Sequence, residues 1–215
     1  MTSSHDAKKP SIDVAENGPY LVKGIGALEN SRGEAIPTKQ VMALCRCGGS
    51  AKKPFCDGTH ARIGFSGGRL AERSTDARVD YRGKKITIHD NRAVCSHAGH
   101  CTDGLPSAFR SEAEPWIDPD GAEVENIFET IRKCPSGALS YSIDGVEAKD
   151  QDREPTVTVS KDGPYVVVGA PELQDEEQSR PASAEHYTLC WCGGSRNKPF
   201  CDGTHWHINF RDEKN

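Results

Sequence analysis

The 215-residue chain has no apolar run approaching the ~20 residues that span a bilayer, so no membrane partner is expected. Aromatic residues are scarce at 7%, and apolar residues reach only 35%, which excludes one large core and favours two or three small domains. Positive charge is not in excess: Lys and Arg total 27 against 32 Asp and Glu, a formal net charge of -5. Without a basic face to meet phosphates, no nucleic-acid partner is expected. The opening MTSSHDAKKP has no hydrophobic stretch of the secretory kind, which points to a cytoplasmic protein. There is no phosphate loop and no nucleophile–base constellation, and GPYLVKGIG lacks the G-x-G-x-x-G nucleotide fingerprint. The expectation is therefore that the chain is not an enzyme.

Cysteine is what the chain has in abundance, with nine residues. An odd number cannot close into disulfides alone, and in a reducing compartment metal binding is the expected use. Sliding the sequence along itself aligns GPYLVKG (18–24) with GPYVVVG (163–169). The same offset aligns LCRCGGSAKKPFCDGTH (44–60) with LCWCGGSRNKPFCDGTH (189–205). Residues 25–43 and 170–188 keep this register with almost no identity, so the chain contains an internal duplication. Three domains follow: a first repeat at 14–68, a middle domain at 76–150 with its own three cysteines, and a second repeat at 155–215. The borders SGGRLAERSTD and EAKDQDREPT read as linkers, and the polar residues up to about Asp13 as a frayed start.

Periodicity predicts mainly β repeats. Strands are expected from Tyr20 to Val22, Val41 to Leu44, Tyr165 to Val168 and Tyr187 to Leu189, with one helical turn near the last ligand. The middle segment reads as α+β. Lys84 to His89 and Ala138 to Ile143 are expected strands, and Val124, Ile127, Phe128 and Ile131 recur at helical spacing, as a helix packed on a small sheet would have them.

Cys45, Cys47, Cys56 and His60 form one candidate ligand group, and Cys190, Cys192, Cys201 and His205 form another with the same spacing. Two cysteines one residue apart reach one metal only if the backbone bends sharply, and Gly48-Gly49 and Gly193-Gly194 supply that bend. The Cys and His four residues apart meet on one face of a helical turn, and Asp57 and Asp202 sit where a first-turn carboxylate is favourable. The ligand types fit either a structural zinc ion or an iron–sulfur cluster. Zinc sites usually begin with two to four residues between paired cysteines, whereas one intervenes here.

Both blocks, C-x-C followed by a loop ending in PFCDGTH, resemble the CDGSH iron–sulfur domain family. The resemblance implies a [2Fe-2S] cluster in each repeat, with Cys45 and Cys47 on the inner iron and Cys56 and His60 on the outer, repeated by Cys190, Cys192, Cys201 and His205. It also implies strand exchange between two halves. Two halves in one chain would make an intramolecular pseudo-dimer, a monomer with the middle domain inserted between its halves. Replacing a thiolate by neutral imidazole raises the reduction potential, and a proton competes with iron for the same nitrogen.

Between the repeats, Cys95 and Cys101, and then Cys134 followed by Pro135, resemble the divergent mono-cluster ferredoxins, a 4Fe-4S family. Ala98 stands where a further cysteine would be. Three thiolates and an alanine fit a [3Fe-4S] cluster, and a [4Fe-4S] cluster completed by His97, His100 or an exogenous ligand is the alternative.

Smaller features carry open readings. Lys53 and Lys198 either tune cluster charge or are solvated. Trp191 is expected to shield its cluster where Arg46 leaves the other exposed. The acidic run 172–177 is either a solvated loop or a dock for a basic redox partner. His89 and Trp116 show no role. The function expected is that of a soluble multi-cluster iron–sulfur protein in single-electron transfer with a redox partner protein. The alternatives are a cluster carrier or redox/pH sensor that hands its His-ligated clusters to an apo-acceptor, and a zinc-stapled interaction module.

Overall fold

The computed structural model describes residues 9–148, 150–213 and 215. The first repeat contains β1 (Ser11–Val14), β2 (Tyr20–Lys23), β3 (Ala27–Glu29), β4 (Val41–Leu44) and α1 (Thr59–Arg62). The middle segment holds β5 (Val79–Arg82), β6 (Thr87–Asp90), α2 (His100–Gly104), α3 (Val124–Ile131), β7 (Leu139–Ile143) and β8 (Val146–Glu147). The second repeat supplies β9 (Thr156–Val159), β10 (Tyr165–Val168), β11 (Glu172–Gln174), β12 (Tyr187–Leu189) and α4 (Thr204–His207).

The described strands form three four-stranded sheets, ordered β11-β1-β2-β4, β3-β9-β10-β12 and β5-β6-β7-β8. The first two are exchanged. β11 of the second repeat lies parallel to β1, with Ile12 opposite Leu173, and β3 of the first lies parallel to β9, with Leu28 opposite Val157. Alternation decides which side chains face inward: Tyr20 and Val22 in β2, and Tyr165 and Val167 in β10, are buried. These join Ile12, Leu28 and Val157 in one core shared by both repeats. The two repeats are thus an intramolecular pseudo-dimer, and the fold is α+β and mainly β.

The middle segment has its own core of Ile88, Phe109, Ile117, Ile127 and Leu139. α3 turns Ile127 and Ile131 onto the sheet, as its apolar spacing requires. His89 and Trp116 are structural. His89 is buried with Nδ1 2.6 Å from Asp80 and Nε2 3.1 Å from Ser142, and Trp116 packs on Tyr81, Phe109 and the Arg92 guanidinium.

Three expectations are corrected. Residues 11–13 are not frayed: they belong to β1, because Ile12 is buried between its two neighbouring strands; residues 1–8 lie outside the described residues. The first linker does not run free. Arg69 donates to the Lys198 carbonyl and the Ser179 hydroxyl and pairs with Glu177, and the Leu70 amide donates to the Arg196 carbonyl. The acidic run is a loop only in part: 172–174 form the exchanged strand β11 and Asp175 accepts from Ser179, while Glu172, Glu176 and Glu177 stay exposed.

Candidate metal centres

Each repeat brings its candidate ligands together in two pairs. Cys45 follows the last residue of β4, and its Sγ lies 3.9 Å from that of Cys47; Cys190 and Cys192, after β12, are 3.8 Å apart. Two thiolates on one tetrahedral metal at about 2.3 Å span an edge of about 3.8 Å. The second pair sits on the helical turn. His60 Nδ1 lies 3.3 Å from Cys56 Sγ, and His205 Nδ1 lies 3.4 Å from Cys201 Sγ. Among the described residues, no three or more His, Cys, Asp or Glu side chains close on a single ion.

Local hydrogen bonds hold these loops open around the pairs. The hydroxyls of Ser50 and Ser195 donate to the carbonyls of Phe55 and Phe200, at 2.6 and 2.7 Å. Asp57 accepts from the amides of Ala51 and Thr59, and Asp202 from those of Arg196 and Thr204. The bonds from Thr59 and Ala51 hold the Asp57 carboxyl well below the usual carboxylate range. Burial pushes Asp202 up, but its bonds from Thr204 and Arg196 outweigh that and lower it. The amides of Gly58 and Gly203 point at Cys56 and Cys201, at 3.4 and 3.5 Å, ready to donate to a thiolate.

The halves lock through their ligands. A Cβ on Gly48 would stand 2.6 Å from the Cys192 carbonyl oxygen, and one on Gly193 would stand 2.7 Å from that of Cys47, so only glycine permits the approach. Tyr20 and Tyr165 donate across the pseudo-two-fold axis to the carbonyls of Cys190 and Cys45. The recurrence of this tyrosine after Gly-Pro in both repeats is the sequence signal for the bond.

Arg46 does not expose its site. It is buried, donates to the carbonyls of Ala15 and Gly67, and lies over the Tyr20 and Phe65 rings, while the equivalent Trp191 stacks on Tyr165 at 5.0 Å. Lys198 is buried and donates to the Ser195 carbonyl at 2.6 Å, whereas Lys53 is half-buried.

In the middle domain, Cys95 follows a 3-10 turn, Cys101 lies in α2 and Cys134 follows α3; all three line one cavity of about 270 Å³ together with His97, Ala98 and His100. Burial pushes the Cys101 thiol up to about 11, with the neighbouring Cys134 adding to it, and raises Cys95. Burial also raises Cys45 and Cys201. Thiolates in such surroundings need a compensating cation close by, which bound metal supplies. The donor set, its pairing and the cavity therefore fit iron–sulfur clusters.

A family model described as the CDGSH-type iron-binding zinc finger matches residues 17–61 and again 162–206, and one described as a divergent 4Fe-4S mono-cluster domain matches residues 81–144. The chain carries two CDGSH-type domains, one on each side of a divergent mono-cluster domain. It is an iron–sulfur protein. The uncharacterized protein YjdI of Escherichia coli (strain K12) is 43% identical over 61 residues, 28% of this chain and 80% of that protein, and YjdI of Escherichia coli O157:H7 matches equally. No solved structure matches this CDGSH protein. Among the described residues, no helix is long and apolar enough to cross a membrane.

Proposed function

We propose that the chain is a three-cluster carrier of single electrons. In this reading Cys45, Cys47, Cys56 and His60 hold one [2Fe-2S] cluster and Cys190, Cys192, Cys201 and His205 hold a second. Cys95, Cys101 and Cys134 hold a [3Fe-4S] cluster, with a [4Fe-4S] cluster completed by His97, His100 or an exogenous ligand as the alternative. The observation that carries the reading is the pairing of ligands at tetrahedral edges, 3.9 and 3.8 Å between sulfurs, beside a third cysteine set around one cavity. Each cluster, when bound, supplies one reversible electron.

The chain's own residues orient the ligands and exclude water. Asp57 and Asp202 fix the helical turns that carry His60 and His205, and Ser50 and Ser195 fix the loops before Cys56 and Cys201. Asn197 bonds to the Ala93 carbonyl, two residues before Cys95, and His97 packs on Gly203, two residues after Cys201, which supports a relay between the middle and second sites. The reading assigns no catalytic group. It takes the cytoplasm as the compartment, the monomer as the working form and a redox protein as partner. A second reading, delivery of a cluster to an apo-acceptor, is favoured by the partly exposed Cys56 and His60 of the first repeat.

Anaerobic purification with iron and sulfide analysis, and paramagnetic resonance before and after dithionite, tests the assignment. About seven irons, with an oxidised [3Fe-4S] signal and reduced [2Fe-2S] signals, are expected. About eight irons with no oxidised signal make the middle cluster [4Fe-4S], and zinc without sulfide overturns the reading.

A further inference from the structure

The two CDGSH loops have nearly the same sequence and unequal surroundings. Cys201 is 2% and His205 5% exposed, whereas Cys56 and His60 are only partly buried. The same contrast runs through the loop: Lys198, Pro199, Phe200 and Gly203 are buried, and Lys53, Pro54, Phe55 and Gly58 are not. Since the residues are the same at these positions, the difference comes from what lies on top of them.

The middle domain lies on top of the second loop. Asn197 Nδ2 donates to the Ala93 carbonyl at 2.7 Å, a buried bond two residues before Cys95; the matching residue of the first repeat, Lys52, is exposed. His97 packs on Gly203, where a Cβ would stand 2.4 Å from the ring carbon Cδ2. Gly58 has the same left-handed backbone, φ 84° against 82°, and a Cβ there would meet nothing within 4 Å. On the opposite edge, Gly137 leaves no room for a Cβ against Ser183.

We propose that the middle domain is a cap on the second CDGSH site, seated by Asn197 and by His97 on Gly203, so that its Cys201–His205 side is closed to reagents, chelators and acceptor proteins while the matching Cys56–His60 side of the first site is open to them. This rests on the iron–sulfur reading above for its meaning, but not for its test. The second site is then the retained partner of the middle site, and exchange with the outside belongs to Cys56 and His60. His97 and Asn197 act as positioning residues: they hold the cap, and no ligand role is needed of either for it.

Timed labelling of the purified full chain with N-ethylmaleimide at neutral pH in excess iron chelator, read by peptide mass spectrometry, reports each cysteine separately. Cys56 is expected to label at least about tenfold faster than Cys201, the ratio that about 1.4 kcal/mol of local opening produces. Gly203→Ala is expected to bring the Cys201 rate up towards that of Cys56, because the new methyl displaces His97. Gly58→Ala carries the same backbone strain and displaces nothing, so it serves as the matched control and is expected to leave the Cys56 rate little changed. Asn197→Lys installs a residue the first repeat already tolerates and is expected to speed Cys201 labelling as well. Equal rates for Cys56 and Cys201 in the native chain, or a Cys201 rate unmoved by both variants, overturn the cap. Zinc without sulfide at the outset overturns the cluster assignment instead, and the labelling order still decides the cap.

Discussion

Tyr20 donates its hydroxyl to the backbone carbonyl of Cys190 at 2.9 Å, in the opposite repeat, and the bond is buried. Tyr165 returns the same bond to Cys45 at 2.9 Å, and the two rings meet edge to face at 6.1 Å. Each hydroxyl also reaches the carbonyl of Pro199 or Pro54. The bend that presents each C-x-C pair is therefore braced by the other half of the pseudo-dimer.

Removing one hydroxyl leaves buried carbonyls short of a donor, at a cost of about 1–3 kcal/mol. Tyr20→Phe and Tyr165→Phe are each expected to lower the thermal midpoint of the loaded protein by several degrees, at about 2–4 °C per kcal/mol for a chain of this size. Each is also expected to loosen the ligand bend of the repeat it does not belong to. Circular dichroism melts followed at the cluster absorbance check both effects.

Asp90, at the end of β6, is buried, and burial pushes its carboxyl up to about 6 despite the opposing charge of Arg92 at 3.6 Å. Its Oδ1 has no hydrogen-bond partner among the described residues. An acid whose folded pKa is raised keeps its proton longer in the folded state. Its contribution to stability is thus greatest below the unfolded value near 4 and is lost as pH rises through about 6. Asp90→Asn is expected to gain stability relative to the native chain between pH 4 and 6, levelling at about 2–3 kcal/mol above that. Thermal midpoints of both proteins measured from pH 4 to 8 decide it, and curves parallel through pH 4 to 6 would overturn the assignment.

The repeats and most strands were legible because they rest on local signals. β4 and β12 end one residue before Cys45 and Cys190, where the alternating apolar run stops, and α3 covers the helical spacing from Val124 to Ile131. What was not legible depends on partners distant in sequence. β3 and β11 have three residues each and little pattern of their own; they are strands because β9 and β1 offer them an edge. Ile12 looks like one apolar residue in a polar start until β2 and β11 enclose it. The burial of the second loop could not be read from a motif nearly identical to the first, although the change from Lys52 to Asn197 was a visible hint.

If the imidazoles are ligands, replacing them by thiolate adds a negative charge to the site and lowers its potential. His60→Cys and His205→Cys are each expected to shift one of the two CDGSH potentials downward and leave the other in place. Film voltammetry on the two variants reads this directly. A potential that does not move in either variant removes His60 and His205 from the ligand set.

The residue between the paired cysteines sets a further difference. Arg46 is 4% exposed, one position from both Cys45 and Cys47, and is fixed by the Ala15 and Gly67 carbonyls; Trp191 occupies the equivalent place in the second repeat without charge. A buried cation favours the more negative, reduced state of a nearby site. The deeper burial of Cys201 and His205 disfavours added negative charge, so both effects place the first potential above the second. One charge at about 8–10 Å and an effective dielectric constant near 20 is worth about 1.5–2 kcal/mol, or roughly 70–90 mV for one electron. Arg46→Gln keeps a donor for the carbonyls and removes the charge, so it is expected to lower the first potential by that order while the second stays where it was. Two native potentials that coincide, or a first potential indifferent to Arg46→Gln, would mean that the charge is screened from the site and that the two repeats differ in access alone.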